Sequence, residues 1–342
     1  MKIESLVKAK QDYDFRKTEL DKKRYVNLDL FRRHFPELHI RDGQFVRTTL
    51  TDEMLAALSD ILDGGKLGDE MMMRLFGFTN TALENALKNA DPIIKPLPNK
   101  LVLMTFDDST IDHYTIACPV LERYGGKANL FTTEMQESPR ESGFSDKDKY
   151  MSWEQIKELH DRGHEIVNHS MHHNCLFTDV NEQTVIDEIL GLEQKCAEYG
   201  IPKPTVVGYP RGSCNPRIER LMRELGYQWG RGDMKESSPI LMGKVHYDPY
   251  YDTPLVMPSV WPRSIQALAD AVNATVDNKV MLLVLHKVTD DVMVKMENMT
   301  FNEMVTTIYD EGGECITFGQ LSEFIDPSKA YICTHPAELI NV

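Results

Sequence analysis

No stretch of this chain approaches eighteen consecutive apolar residues, so no segment reads as a membrane-spanning helix. The opening residues MKIESLVKAKQDYDF lack the uninterrupted apolar centre of a signal peptide, and the expected address is the cytoplasm. A basic surplus is missing too. Lys and Arg number 38 against 53 Asp and Glu, a net charge of −15. A nucleic-acid partner, which calls for a basic face, is therefore not expected. Cys118, Cys175, Cys196, Cys214, Cys315 and Cys333 are scattered without a C-x-x-C pair, a spacing that suits free thiols better than a disulfide framework. Repeats and low-complexity tracts are absent. What is present is an ordinary globular composition, 42% hydrophobic and 27% charged. The 342 residues suffice for one large domain with an attachment, or for two domains. Nothing in the sequence specifies an oligomeric state.

Residues 1–97 read as a mainly helical region of unassigned role. TDEMLAALSDIL (51–62) has helical apolar spacing and stops at Gly64-Gly65. TALENALKN (81–89) opens with Thr81 and Glu84 at capping-box spacing, and Met71-Met72-Met73 reads as core filler. DPIIKPLPNK (91–100) carries three prolines and suits an extended connector. The expected division is a helical region 1–97, a catalytic barrel 98–326 and a tail 327–342.

Beyond residue 100 strands and helices alternate. LVLMTF (101–106), ANLFTT (128–133), HEIVNH (164–169), TVVGYP (205–210) and VMLLVLH (280–286) are the candidate strands. Between them, Ser152 with Gln155 forms a capping box and Asn215-Pro216 a helix start. Near-continuous apolar strands separated by helices imply a parallel sheet covered on both faces. About seven such units favour an α/β, TIM-like barrel over an open sheet, with function where strands end.

Three strand ends carry chemistry. The first delivers Asp107-Asp108, the third His169, His172 and His173, the last His286. His169 and His173 are four apart and would share one face of a helical turn. With one carboxylate they make a two-His, one-carboxylate set suited to zinc or another divalent transition metal. Such a cation also explains the paired aspartates. It neutralises the local field, so the second carboxylate can stay charged and act as a base toward a water that the cation activates.

These motifs, in this order, resemble the polysaccharide deacetylase family of chitooligosaccharide and peptidoglycan deacetylases. TFDDS (105–109) is similar to the family's T-F-D-D-G, HSMHH (169–173) to H-[ST]-x-x-H, and VLH (284–286) to L-x-H. The likeness runs over roughly 100–320 and implies a distorted (β/α)7 barrel. It implies Asp107 as base, Asp108, His169 and His173 as ligands to Zn2+ (or Co2+ or Ni2+), and His286 as the acid that protonates the leaving amine. The substrate implied is an N-acetylated saccharide, with O-acetyl ester hydrolysis, another non-peptide C–N bond or a catalytically impaired sugar-binding homologue as alternatives. Two departures stand out. GYPRG (208–212) puts Gly208 where the family has an arginine that orients the base. Arg211 is then the candidate replacement, and its N–H a candidate oxyanion donor. For the aspartate that tunes the acid histidine, Asp233 in GRGDM is the nearest candidate. His172 reads as solvent-facing and His164 as part of a helix-to-strand turn. Tyr209, Trp229 and Trp261 are aromatic rings that would either stack on sugar or sit in the core.

Overall fold

The computed structural model describes residues 91–134, 149–232, 245–250, 252–262, 264–288 and 299–334, together with the backbone of Ile40–Arg41 and Gln44–Phe45. Those two pairs form a minimal antiparallel ladder, β1 (Ile40–Arg41) and β2 (Gln44–Phe45). The helices expected at 51–62 and 81–89, the Met71–Met73 run and Asp233 lie outside the described residues. Ile93–Pro327 form one compact unit; Met1–Pro92 with Ser328–Val342 form another. Among the described residues no helix is long and apolar enough to cross a membrane.

The barrel unit is organised around β3 (Leu101–Asp107), whose seven residues are all buried. An unbroken apolar run followed by a carboxylate is what a strand covered on both faces, with its end at the barrel mouth, requires. Next come β4 (Asn129–Thr132), β5 (Glu165–Asn168), β6 (Val206–Gly208), β7 (Trp229–Arg231), β8 (His246–Tyr247), β9 (Val280–Leu285) and β10 (Glu314–Cys315). The order across the sheet is β7-β6-β5-β4-β3-β9-β8. Neighbours run parallel except β8, which is antiparallel to β9. The five strands expected from sequence are all present. Those at 229–231, 246–247 and 314–315 are too short to show a periodicity of their own.

β9 occupies one edge of β3, so β10 and β4 share the other, β10 at Leu101–Val102 and β4 at Thr105–Asp107. Asn129 plugs the fork between them. Its amide donates to the carbonyls of Met104 and Ile316 and its oxygen accepts from the N–H of Phe318, so no buried backbone group there is stranded. Opposite, residues 254–260 bridge the remaining gap. Met257 exchanges backbone hydrogen bonds with the β7 segment, and Val260 does the same with β9. An irregular segment thus stands where a regular barrel would have a strand.

The helices begin where the side chains say they should. The capping box of Ser152 and Gln155 opens α2 (Trp153–Asp161), which follows α1 (Cys118–Arg123). Asn181 caps α3 (Glu182–Glu198), and Asn215 with Pro216 starts α4 (Pro216–Glu224). α5 (Ile265–Asn273), α6 (Phe301–Asp310), α7 (Phe318–Leu321) and α8 (Pro327–Thr334) complete the series. On α2 the buried residues Trp153, Ile156 and Leu159 recur every third position. Burying each of the two aliphatic side chains contributes about 1.5–3 kcal/mol. The α/β barrel class expected from sequence is the one observed.

Candidate active site

Asp107 ends β3, and the chain then turns sharply: Asp108 and Ser109 have φ of 71° and 53°. Left-handed backbone costs non-glycine residues of order 1–3 kcal/mol, which explains why glycine is at home at position 109. Ser109 compensates by clamping Thr133, its hydroxyl donating to the carbonyl and accepting from the N–H. The turn separates the two carboxylates. Asp107 points inward and is buried, while the Asp108 side chain keeps 20% of its exposure.

His169 and His173 do share a face, but the expected helical turn is absent. Residues 169–174 form a bend in which Ser170 and His173 are left-handed (φ 66° and 50°), held by the Ser170 hydroxyl accepting the His173 N–H. The rings meet edge-on with centroids 4.7 Å apart. One ligand atom each from Asp108, His169 and His173 lies within 4.8 Å of the others. Nδ1 of His169 sits 2.7 Å from the Gly208 carbonyl and must donate to it, which leaves Nε2 as the lone pair facing the site. Burial pushes the His169 ring below the ordinary histidine range, against the opposing pull of Asp107 and Asp108, so it stands neutral and ready to ligate. Two imidazoles and one carboxylate fit a borderline divalent cation with room for exchangeable ligands. His172 instead pairs with the middle of α3: its N–H and Nδ1 both meet the Glu188 carboxylate at 2.9 Å, and its side chain is 41% exposed.

The departure at Gly208 has a geometric answer. A Cβ there would stand 2.2 Å from Cδ2 of Phe131 and 2.8 Å from Nδ1 of His169, so no side chain fits. The guanidinium comes from the neighbouring strand. Arg231 of β7, in register with Gly208, grips Asp107 bidentately at 2.6 and 2.7 Å and also donates to the Thr105 hydroxyl. Its guanidinium lies over the Phe131 ring, 4.1 Å from the centroid. β7 and β3 are four spacings apart in the sheet order, roughly 19 Å on a flat sheet at about 4.8 Å each. Contact between them proves the curl. The exposed Arg211 side chain, in a left-handed turn at φ 54°, is therefore not the replacement. Arg231 was missed because a three-residue strand shows no pattern; the vacancy at 208 and an arginine ending an adjacent strand were the available signals.

Asp107 feels opposing fields. Burial alone, the largest influence, would push its carboxyl up, but Arg231, His169 and His286 together hold it well below the usual carboxylate range. Its Oδ2 faces Nε2 of His169 at 3.7 Å and Nε2 of His286 at 3.8 Å. His286 follows β9 at the rim, 43% exposed, with Trp261 edge-on at 5.5 Å. Of the aromatic candidates, only Trp261 (39% exposed) is placed to meet a ligand. Tyr209 is fully buried with its hydroxyl on the Leu255 carbonyl, and Trp229 is buried with its indole N–H on Ser322. Both are core residues and neither can stack on sugar. His164 lies where expected, between α2 and β5, accepting the Ala128 N–H and facing Glu122 at 3.0 Å.

Part of the chain is similar to known proteins. Residues 94–230 match the polysaccharide deacetylase family model, so the resemblance carried by the motifs holds over that segment, although Arg231 and His286 fall outside it. The deacetylase-like protein YxkH of Bacillus subtilis (strain 168) is 29% identical over 131 residues, 38% of this chain and 44% of that one. The chain thus spans less than half the length of this curated relative. Among solved structures, Streptococcus pyogenes deacetylase PplD, in complex with acetate, is 25% identical over 45% of this chain and 64% of its own (TM-score 0.34). The chitin deacetylase of Colletotrichum lindemuthianum is 16% identical over 70% of this chain and 96% of its own (TM-score 0.45).

Proposed function

We propose that this chain is a metal-dependent hydrolase that removes acetyl groups from an N-acetylated saccharide. The observation that carries the reading is Oδ2 of Asp107 facing both His169 and His286, beside three ligand atoms within 4.8 Å. Asp108, His169 and His173 would hold a divalent cation, zinc or else cobalt or nickel, supplying Lewis-acid polarisation of the acyl oxygen and a more acidic water. Asp107, kept ionised and aimed by Arg231, accepts the proton of the attacking water at Oδ2. His286, whose Nε2 lies 3.8 Å from that oxygen, delivers a proton from Nε2 to the departing nitrogen. The N–H of Arg211 and, outside the described residues, Asp233 complete the set as oxyanion donor and partner of the acid. Trp261 offers a face for a sugar ring at the rim.

Acetate release from N-acetylated chitooligosaccharides and from acetylated xylan, each with zinc or cobalt supplied, tests this directly. Release from the amide alone is expected. Release from xylan alone would make the protein an O-acetyl esterase, and sugar binding without release would make it a catalytically silent homologue.

A further inference from the structure

Asp112 and His113 sit in the turn immediately after the two aspartates, and neither has a part in the reaction above. Both are buried. His113 opens a π-helical turn (His113–Ala117), a wide-turn geometry that recurs at functional sites. Its Nε2 lies 2.7 Å from the backbone carbonyl of His286 and 2.9 Å from the Thr110 hydroxyl. A carbonyl oxygen brings no proton, so Nε2 must be protonated and donate. Two residues further along the same loop, the N–H of Val288 donates to the Asp112 carboxylate. Consecutive side chains thus hold the peptide groups on either side of Lys287.

The ring itself is fixed. It has no exposed surface and packs against Phe106 on β3, centroids 5.4 Å apart. Burial, opposed by the charges of Asp112, Asp107 and Asp108, lowers its proton affinity, so it remains a neutral single donor. His286 needs such support. It lies beyond the last paired residue of β9, its ring is 43% exposed, and its buried Nδ1 has no hydrogen-bond partner among the described residues. Among the described residues, the backbone tether and the edge of Trp261 are the contacts that hold it 3.8 Å from Asp107.

We infer that His113, seconded by Asp112, is a positioning residue that latches the 286–288 loop and so keeps the His286 ring aimed at Asp107. The segment carrying the base thereby also fixes its distance to the acid. The inference rests on the proposed function for its kinetic consequence, though not for its structural one.

The test compares the 342-residue chain, zinc-loaded, with its His113→Leu and His113→Gln variants. Two quantities are read: acetate release from N-acetylated chitotetraose, and the ring resonances of His286 in histidine-labelled protein, identified by their loss in His286→Gln. In His113→Leu kcat should fall about tenfold to a hundredfold, with KM within about threefold and zinc content unchanged, and the His286 resonance should shift and broaden. Glutamine, whose Nε2 reaches the same carbonyl, should restore both. A folded His113→Leu protein with an unchanged His286 resonance overturns the latch, whether or not acetate is released. If the wild type releases no acetate while the resonance moves as expected, the deacetylase reading fails and the latch stands. Should His113→Leu fail to fold, Asp112→Ala is read by the same resonance: movement supports the latch and constancy refutes it.

Discussion

Replacing Arg231 with methionine keeps much of the side-chain volume and removes the charge that faces Asp107. The two side chains are 5% and 4% exposed, so the carboxylate left behind is buried without its counter-ion. Breaking a pair of this kind costs about 3–5 kcal/mol. The variant can limit the charge penalty by keeping Asp107 protonated. Relative to an unfolded carboxyl of pKa about 3.9, at about 1.4 kcal/mol per pH unit, that costs about 5 kcal/mol at pH 7.5 and about 1.5 at pH 5. In the wild type the Asp107 pKa is depressed, so its contribution is complete above about pH 4 and is lost only as pH falls further. In the variant burial acts with less opposition and the pKa is raised, so its penalty shrinks on acidification. The stability difference between the two proteins should therefore narrow by about 2–3 kcal/mol from pH 7.5 to pH 5. Urea denaturation followed by tryptophan fluorescence reads this unit alone, because the chain's 3 tryptophans, Trp153, Trp229 and Trp261, all lie within Ile93–Pro327. Turnover should fall about a hundredfold or more with metal content unchanged, since Asp107 is no longer aimed. A loss equal at both pH values, or below about 1 kcal/mol, would refute the ion-pair argument.

Asp108→Asn or His169→Ala should abolish metal binding by elemental analysis, whereas Asp107→Asn should retain metal and lose turnover; near-normal turnover in the latter removes Asp107 as base. Gly208→Ala should cost about 1–3 kcal/mol or more and weaken metal affinity, because its Cβ drives Phe131 and His169 apart. Denaturation and zinc titration check both, and an unperturbed variant would show that the Phe131 ring yields freely. The protein should lose stability as pH falls below about 6.5, because burial lowers the pKa of His113 and His164 and the unfolded chain protonates first. A second loss belongs to Glu122, whose carboxyl is drawn down to about 2 by the hydrogen bonds of Arg162 against the effect of burial. Its stabilisation is present above about pH 4.3 and disappears on approach to about pH 2. Urea midpoints at about pH 7.5, 5.5, 4 and 2.5 measure these steps. His164→Gln should flatten the first, and a midpoint that rises between pH 7.5 and 5.5 contradicts the signs.

The sequence by itself determined the elements with strong local signals. A largely apolar six-residue run (101–106), a capping box at Ser152, an Asn-Pro start at 215 and Asp107-Asp108 and His169-x-x-x-His173 at strand ends are each written in contiguous residues. Burial and hydrogen bonding act on those residues wherever they are placed, so the strands, the helices and the metal-binding candidates were legible. Only the tertiary structure decided how the site is completed. Arg231 reaches Asp107 because the sheet curls, and Gly208 must be glycine because Phe131 fills its side-chain volume. His169 and His173 converge through left-handed residues at 170 and 173 rather than through helical spacing. His286 is held by His113 across 173 residues of chain. Such contacts join segments whose separation in sequence says nothing of their distance in space, and closure of the barrel brings them together.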